Sequence, residues 1–257
     1  MPRAKGSSIR ALTRGIATLQ AINRAGSLSL IGIAREIGVP HPTAIRLVRT
    51  LEGEGLVERV PDSKAYRPTA LVQSLSCGFQ NHDRLVQCAR EPIVALTRKC
   101  GWPISVVTRA GRVMVTRDST VSLTSLTFNV YAAGITLPIF SSASGQVTFA
   151  YASAEDQQEM LKQASSADRL AVQQFRSGKK AAEIRRQGFA AVPATPHPLN
   201  TRANAAIAVP LLADGAVLGA LALVFFSSAL SLRDAVKKYV PDLTATARQI
   251  VERVSES

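Results

Sequence analysis

Residues 30–68 read LIGIAREIGVPHPTAIRLVRTLEGEGLVERVPDSKAYRP. Apolar residues recur at steps of three and four on both sides of Gly38-Val39-Pro40, a pattern typical of two short helices separated by a three-residue break. Pro42 suits the first turn of the second of these helices, where its missing N–H costs no hydrogen bond. This spacing predicts a helix-turn-helix.

A short β-ribbon is predicted directly after these helices. The segments 55–60 and 65–68 flank the polar turn 61–64, as two strands flank the turn of a hairpin. A ribbon beside a helix-turn-helix is a wing, and the two together are far more specific than either alone. A further helix is predicted upstream, capped by Ser8 and ended by Gly26. Its apolar face is formed by Ile9, Leu12, Ile16, Leu19 and Ile22.

The outward face of the helix that follows the break carries residue types that read DNA. Arginine can donate twice to guanine, threonine contributes a hydroxyl, and an apolar side chain can contact the thymine methyl. The candidate DNA-contacting residues of this helix are Pro42, Thr43, Ile45, Arg46, Arg49 and Thr50. The candidate phosphate contacts, which set position without reading sequence, are Arg10, Arg14, Arg59, Lys64 and Arg67. On an isolated helix, arginines more often lie on an exposed face that contacts only water, but the adjacent turn and wing favour DNA binding here.

The chain is strongly basic, with 31 Lys and Arg against 18 Asp and Glu and a formal net charge of +13 over 257 residues. Such an excess favours anionic partners, of which nucleic acids and acidic membrane surfaces are the usual two. Per residue, the first third of the chain is nearly twice as basic as the rest. Because one small reading head buries little surface on DNA, a dimer or higher oligomer on a two-fold double-stranded operator is predicted.

No membrane, metal or cofactor chemistry is predicted. The most apolar stretch, residues 205–226, is interrupted by Pro210 and Asp214-Gly215, whereas a membrane span needs roughly 20 uninterrupted apolar residues. The three cysteines form no CxxC pair, and with three histidines they give no recognisable metal-ligand spacing. Their number fits a reducing compartment, and the N-terminus has no signal-peptide core, so a cytoplasmic location is expected.

The remainder of the chain predicts an α+β domain with an antiparallel sheet. A linker helix is expected at residues 70–83 and an amphipathic helix at 85–100. Strands at 104–108 and 113–116 flank a hairpin turn, and residues 205–226 form a second hairpin around Asp214-Gly215. Further helices are expected at 141–153, 156–163, 179–187 and 232–254.

Catalytic motifs are not found. The sequence contains no dinucleotide-binding, Walker, zinc-protease or nucleophile-elbow pattern. Ser142 and Ser144 precede Gly145, but no histidine is placed to activate them, and a capped helix start explains them better. Cys88 and Cys100 are interpreted as core residues rather than nucleophiles. The chain is therefore not expected to be an enzyme.

On the basis of these residues, the chain resembles the isocitrate-lyase-regulator (IclR) family of bacterial transcription factors, from about Ile9 to the C-terminus. Within that family it is most similar to the activators of hydroxyphenylpropionate catabolism. The resemblance is carried by SSIRALTRGIATLQAINR (7–24), the stretch 38–69, LSCGF (75–79), GWPISV (101–106), GITLPIFSSASGQVTFAY (134–151) and residues 185–230. The chain departs from the family at PATPHPLN (193–200), Pro42 and Ile45, so effector and operator preferences are expected to differ.

The resemblance implies a homodimer, often paired into a tetramer, with a GAF-like C-terminal sensor whose pocket lies on one face of the sheet. Carried onto this sequence, the pocket includes Leu137, Ala143, Ser144, Ala205, Leu223 and Phe225. An aromatic carboxylic acid is the expected effector, and Arg117 or Arg202 would pair with its carboxylate. Either arginine could instead be exposed.

The resulting expectation is a ligand-responsive regulator of aromatic-degradation genes, which also contacts RNA polymerase. The expected domains are a winged helix-turn-helix at 1–69, a linker helix at 70–83 and an effector-binding and oligomerisation domain at 84–257. One alternative is a DNA-binding architectural protein that needs no ligand. Another is an enzyme built on a GAF-like domain with an accessory DNA-binding unit, which the missing catalytic groups disfavour.

Overall fold

A computed structural model describes residues 9–77, 84–126, 132–164, 168–197 and 200–256, and within the range 194–203 it describes the backbone only. The chain divides into two compact units, Met1–His82 and Asp83–Ser257. Across the described ranges, none of the helices combines the length and the apolar composition needed to span a bilayer.

The first unit is a winged helix-turn-helix, which confirms the prediction for this part of the chain. Its helices are α1 (Arg10–Ala25), α2 (Leu30–Ile37) and α3 (His41–Gly53). Its strands are β1 (Leu28–Ser29), β2 (Val57–Arg59) and β3 (Ala65–Pro68). They form an antiparallel sheet in the order β1-β3-β2, and β2 and β3 are the predicted ribbon.

Local sequence explains how α2 and α3 are set apart. Ser29 caps α2 by accepting a hydrogen bond from the N–H of Gly32. Gly38 ends the helix in the left-handed conformation at φ 64°, which glycine adopts without strain. Pro40 is the N-cap of α3. The buried core beneath the three helices consists of Ile22, Ile33, Val39, Ala44, Val48, Leu51 and Val57.

The second unit is built on one antiparallel sheet of six strands in the order β6-β5-β4-β9-β8-β7. The strands are β4 (Ile104–Ala110), β5 (Val113–Ser119), β6 (Thr136–Pro138), β7 (Ala190–His197), β8 (Asn200–Ala213) and β9 (Ala216–Phe226). The helices are α4 (Arg84–Cys100), α5 (Ala143–Tyr151), α6 (Ala154–Gln163), α7 (Arg169–Arg176), α8 (Lys179–Gln187) and α9 (Leu232–Glu256).

Helices cover both faces of this sheet. Helices α4 and α9 pack on one face around Trp102, Leu223 and Phe225. Helices α5 to α8 pack on the other face around Phe140, Phe149 and a group of sheet alanines. Both faces are therefore buried, and the position of each strand residue along the alternation decides which helices it contacts.

The hairpin of β8 and β9 forms as predicted. Asp214 (φ 49°) and Gly215 (φ 77°) occupy the two positions of positive φ that a tight hairpin turn of this kind requires. The ten paired positions then bring β8 and β9 together along most of their length.

Several elements differ from the sequence prediction. Helix α7 and strand β7 were not predicted. The linker begins as a 3₁₀ helix at Ala70–Ser76, and the rest of the predicted linker helix, 78–83, lies outside the described residues. Ser8 also lies outside them, and the residue at the N-cap position of α1 is Ile9, which provides no side-chain cap.

Candidate nucleic-acid interface and ligand pocket

Helix α3 separates its buried face from its outward face cleanly. Ala44, Val48 and Leu51 are buried against the core of the first unit. On the outward side, Arg46 and Arg49 are exposed and lie one turn apart. The predicted contact residues Pro42 and Thr50 are also exposed, whereas Thr43 and Ile45 are half-buried.

The predicted phosphate-contacting residues lie on α1 and on the wing. Arg10, Arg14 and Lys64 are exposed, and no ion pair is found for them within the described part of the chain. Two residues of the wing already have partners. The Nε of Arg59 donates to the carbonyl of Ser63 at 3.2 Å, and Arg67 forms an ion pair with Glu58 at 2.7 Å. Because such exposed pairs are worth less than about 1 kcal/mol, Arg67 can exchange Glu58 for a phosphate at small cost.

The face of the second unit's sheet that meets α5 carries a row of small residues. The strand registers place one such residue side by side on each of five adjacent strands, and the row reads Ser119, Ser105, Ala222, Ala208 and Ala190. The hydroxyls of Ser105 and Ser119 lie 3.1 Å apart and are buried. Helix α5 lies over this row and begins with Ala143, Ser144 and Gly145, which are buried. The small side chains of this row make the α5 face of the sheet the candidate side for a ligand pocket.

Two family models match this chain across nearly its whole length. The IclR helix-turn-helix domain matches residues 11–61, and the bacterial transcriptional regulator IclR C-terminal domain matches residues 79–252. The chain belongs to the IclR family. It is a DNA-binding transcription regulator with a C-terminal ligand-binding domain, and these domains are those of a non-enzymatic factor.

Solved IclR-family structures share the fold at low sequence identity. An IclR family regulator from Brucella abortus is 18% identical with a TM-score of 0.66, covering 100% of this chain and 95% of that chain. An IclR homolog from Microbacterium hydrocarbonoxydans complexed with 4-hydroxybenzoate is 22% identical with a TM-score of 0.64, covering 96% and 100%. The IclR of Thermotoga maritima is 18% identical with a TM-score of 0.60, covering 96% and 99%.

The structure divides the predicted pocket residues between the two faces of the sheet. Leu137 and Ala143 lie together on the α5 side, and Ser144 is buried on the same helix. Ala205, Leu223 and Phe225 instead pack with Trp102 against α4 and α9. The prediction that all six line one cavity is therefore wrong, because the sheet lies between the two groups.

On β8 and β9, each predicted pocket residue is one position away from a residue that faces α5. Because side chains alternate between faces, the neighbours of the predicted residues on β8 and β9 face α5 instead. These are Ala206, Ala222 and Val224, and Ala206 pairs with Val224. Side chains alternate regularly along β8 and β9. Once one residue of either strand is assigned to a face of the sheet, the alternation therefore identifies the other residues on that face.

The structure describes the side chain of only one of the two arginines proposed to bind a ligand carboxylate. The Arg117 guanidinium donates to the Oγ1 of Thr108 at 3.3 Å. Thr108 follows Val107, which faces α5, so by alternation it lies on the other face of the sheet. Arg202 belongs to β8, but its side chain lies outside the described part of the structure.

Two of the residues considered for catalysis, Ser142 and Cys100, have structural partners. Ser142 is the N-cap of α5, accepting from the N–H of Gly145 at 3.1 Å and donating to the carbonyl of Pro138 at 2.6 Å. This confirms the capped helix start. Burial raises the pKa of the Cys100 thiol, which keeps it protonated and a poor nucleophile at neutral pH.

Proposed function

We propose that this IclR-family regulator binds an aromatic carboxylic acid between α5 and the sheet and controls genes of aromatic degradation. The observation that carries the proposal is the row of small residues beneath α5, on a face of the sheet that is otherwise mostly apolar. Effector pockets of this kind combine an apolar lining with a few placed polar groups. The related 4-hydroxybenzoate complex, from a protein of the same fold, supports an aromatic acid as the ligand class.

The proposed pocket residues follow from the register. Leu137 and Ala143 line one side, and Ala206, Ala222 and Val224 line the sheet opposite them. Candidate polar groups are the paired hydroxyls of Ser105 and Ser119. The buried Oγ1 of Thr116, also on β5, has no hydrogen-bond partner among the described residues. A bound ligand hydroxyl or carboxylate would supply such a partner, since buried polar groups rarely stay unpaired.

Effector control requires a difference in affinity between two arrangements of the protein. We propose that the ligand favours one arrangement of the second unit, and that residues 70–83 pass this preference to the spacing of two reading heads. A ligand achieves this only when it binds one arrangement more tightly than the other. Contact with RNA polymerase belongs to the same proposal.

Enlarging Ala206 is expected to block effector binding. Ala206 is half-buried on the α5 side, so phenylalanine there would project into the proposed pocket. We expect Ala206→Phe to lower the affinity for 4-hydroxybenzoate, or for the best binder in a panel of aromatic acids, at least tenfold, measured by titration calorimetry.

The control makes the same substitution on the neighbouring strand β7, at a residue on the opposite face of the sheet. Ala191 is also half-buried, but it packs on the α4 and α9 side and pairs with Ile207. Ala191→Phe should change the affinity by less than about twofold. Equal losses in both variants would contradict a pocket under α5, and Arg202→Ala in the same titrations tests the carboxylate partner.

A second copy of the chain is proposed to cover the apolar stripe of α1. Ile9, Leu12 and Ile16 recur at steps of three and four, and they are 69%, 60% and 51% exposed. Such a stripe is costly in water, and a two-fold symmetric pairing of α1 with its copy would bury it. This supports the proposed homodimer, which pairs further into a tetramer.

Charges on this stripe are expected to weaken self-association. We expect the double variant Leu12→Glu/Ile16→Glu to raise the dimer dissociation constant by at least about a hundredfold, because two leucine-sized side chains per copy, four in the dimer, lose their burial. Sedimentation equilibrium measures the change. The matched control is Ile31→Glu, which alters an isolated exposed isoleucine of α2 and should leave the association constant unchanged.

A further inference from the structure

The positive charge of the second unit is concentrated in one short stretch. Residues 162–186 contain seven Lys and Arg against two Asp and Glu, an excess of five, while the whole of residues 83–257 has an excess of seven. The stretch includes α7 and α8 and the last residues of α6. Neither the DNA-reading unit nor the proposed effector pocket uses these residues.

Helix α7 presents an apolar residue among cations on its outward face. Val172 and Phe175 are buried and fix the helix to the core. On the opposite side, Leu170 is 80% exposed, the highest value among the large apolar side chains of the described residues. Arg169 and Arg176 flank it, both exposed and without an ion pair in the described ranges. An exposed leucine beside two such arginines allows α7 to offer an apolar contact and positive charge on the same surface.

A groove runs between α7 and the end of α6. It has a volume of about 480 Å³ and is lined by Leu161 and Ala164 from the α6 side and by Arg169, Leu170, Val172, Gln173 and Arg176 from α7. Its lining therefore combines four apolar side chains with two arginines and a glutamine. Arg169 and Arg176 are seven residues apart, or about 10 Å along the helix axis.

We propose that this α6–α7 groove docks an acidic amphipathic helix of a partner protein. An apolar side chain of that helix would cover Leu170, and two carboxylates about two turns apart would pair with Arg169 and Arg176. Helices recognised in grooves use apolar anchors of this kind, and complementary charge fixes their orientation. The surface would give the regulator a contact to other proteins that is separate from its DNA and effector sites.

DNA is the less suitable occupant of the same charges. Phosphates gain from the arginines, but they offer nothing to bury Leu170 or to fill the groove between α6 and α7. A helix with carboxylates and an apolar anchor satisfies both features at once. The ion pair of Lys180 with Glu183 on α8 further reduces the number of cations that a phosphate backbone would contact.

The test uses the full-length protein and a defined peptide. The probe is a fluorescein-labelled helical peptide of about 18 residues, rich in Ala and Gln, with a central leucine and two glutamates seven residues apart on the same face. Fluorescence anisotropy should show saturable binding to the wild-type protein. Arg169→Glu/Arg176→Glu should weaken this binding at least about tenfold, and Leu170→Ala by a similar factor.

Matched controls keep the outcome decisive. The variant Arg98→Glu/Lys237→Glu makes the same change of net charge on exposed residues of α4 and α9, across the sheet, and should leave peptide affinity within about twofold. A peptide of the same composition with its glutamates on opposite faces should bind at least about tenfold more weakly. Thermal unfolding confirms that the variants fold.

Three results would overturn the proposal. They are no saturable binding of the peptide, equal weakening by the α4 and α9 control, or loss of non-specific duplex DNA binding in Arg169→Glu/Arg176→Glu while the peptide does not bind. The last result would assign the surface to nucleic acid. None of these outcomes depends on the effector, so the proposal can fail while the aromatic-acid pocket stands, and the reverse.

Discussion

Replacing Arg46 or Arg49 with alanine is expected to lower specific DNA affinity by about a hundredfold or more. Both arginines are exposed on α3, and an arginine of a reading helix can donate twice to a guanine, a contact that discriminates between bases by about 1–3 kcal/mol. On a two-fold operator each contact is made twice. The measurement compares the duplex that the wild-type protein selects from a random-sequence pool with a scrambled duplex of the same length.

The two α3 variants are expected to discriminate less between the selected and the scrambled duplex, rather than to bind both more weakly by the same factor. Arg46→Ala and Arg49→Ala should each lower the ratio of the two affinities about as much as they lower the affinity for the selected duplex. Lys64→Ala, on the wing, should instead weaken both duplexes equally and flatten the dependence of log affinity on log salt by about 2 for a dimer. Arg98→Ala, on α4, is the control that should change neither. An unchanged ratio between the two duplexes in both α3 variants would contradict the assignment of α3 as the reading helix.

The first unit could be predicted from sequence because its local signals agree. Gly38, Pro40 and Pro42 end one helix and begin the next, and the turn at 61–64 separates two short strands. Each of these signals acts over a few residues and needs no knowledge of distant contacts. The Asp214-Gly215 turn made the hairpin of the second unit predictable for the same reason.

The face of each strand in that hairpin could not be predicted in the same way. Residues 219–225 of β9 are all buried, since helices cover both sides of the sheet. A strand buried on both faces has no polar alternation to show which side chains point where. The assignment of Leu223 rather than Ala222 to the α5 side was therefore wrong by one residue. The direction of each side chain is shown only by which helices pack against it.

Helix α7 and strand β7 were missed for related reasons. The segment of α7 is only eight residues long, and it contains two buried large apolar residues, Val172 and Phe175, while Leu170 points outward. Two turns are too short for an apolar pattern to repeat along the sequence. Strand β7 contains Pro193 and Pro196, which argue against a strand unless it lies at the edge of a sheet, as β7 does.

Adding one methyl group at Gly145 is expected to destabilise the second unit more than any single change on its surface. A Cβ at this position would overlap the carbonyl oxygen of Ile139 and lie 2.5 Å from its Cα. These are backbone atoms, so no side chain can rotate away. Because Ile139 lies in the turn between β6 and α5, and Gly145 in the first turn of α5 that Ser142 caps, relief would require this turn and the start of α5 to move apart. We expect Gly145→Ala to cost about 3 kcal/mol.

Thermal unfolding of the second unit measures this effect, and the transition should fall by about 6–12 °C. The control is Gly53→Ala at the end of α3, where an added Cβ would meet nothing within 4 Å. That change should leave stability equal or slightly higher, because alanine favours the helix. A Gly145→Ala transition equal to that of the wild type would show that α5 does not lie this close to Ile139. The proposed pocket would then need a different shape where α5 begins, since Ala143 lies in the same first turn of α5 as Gly145.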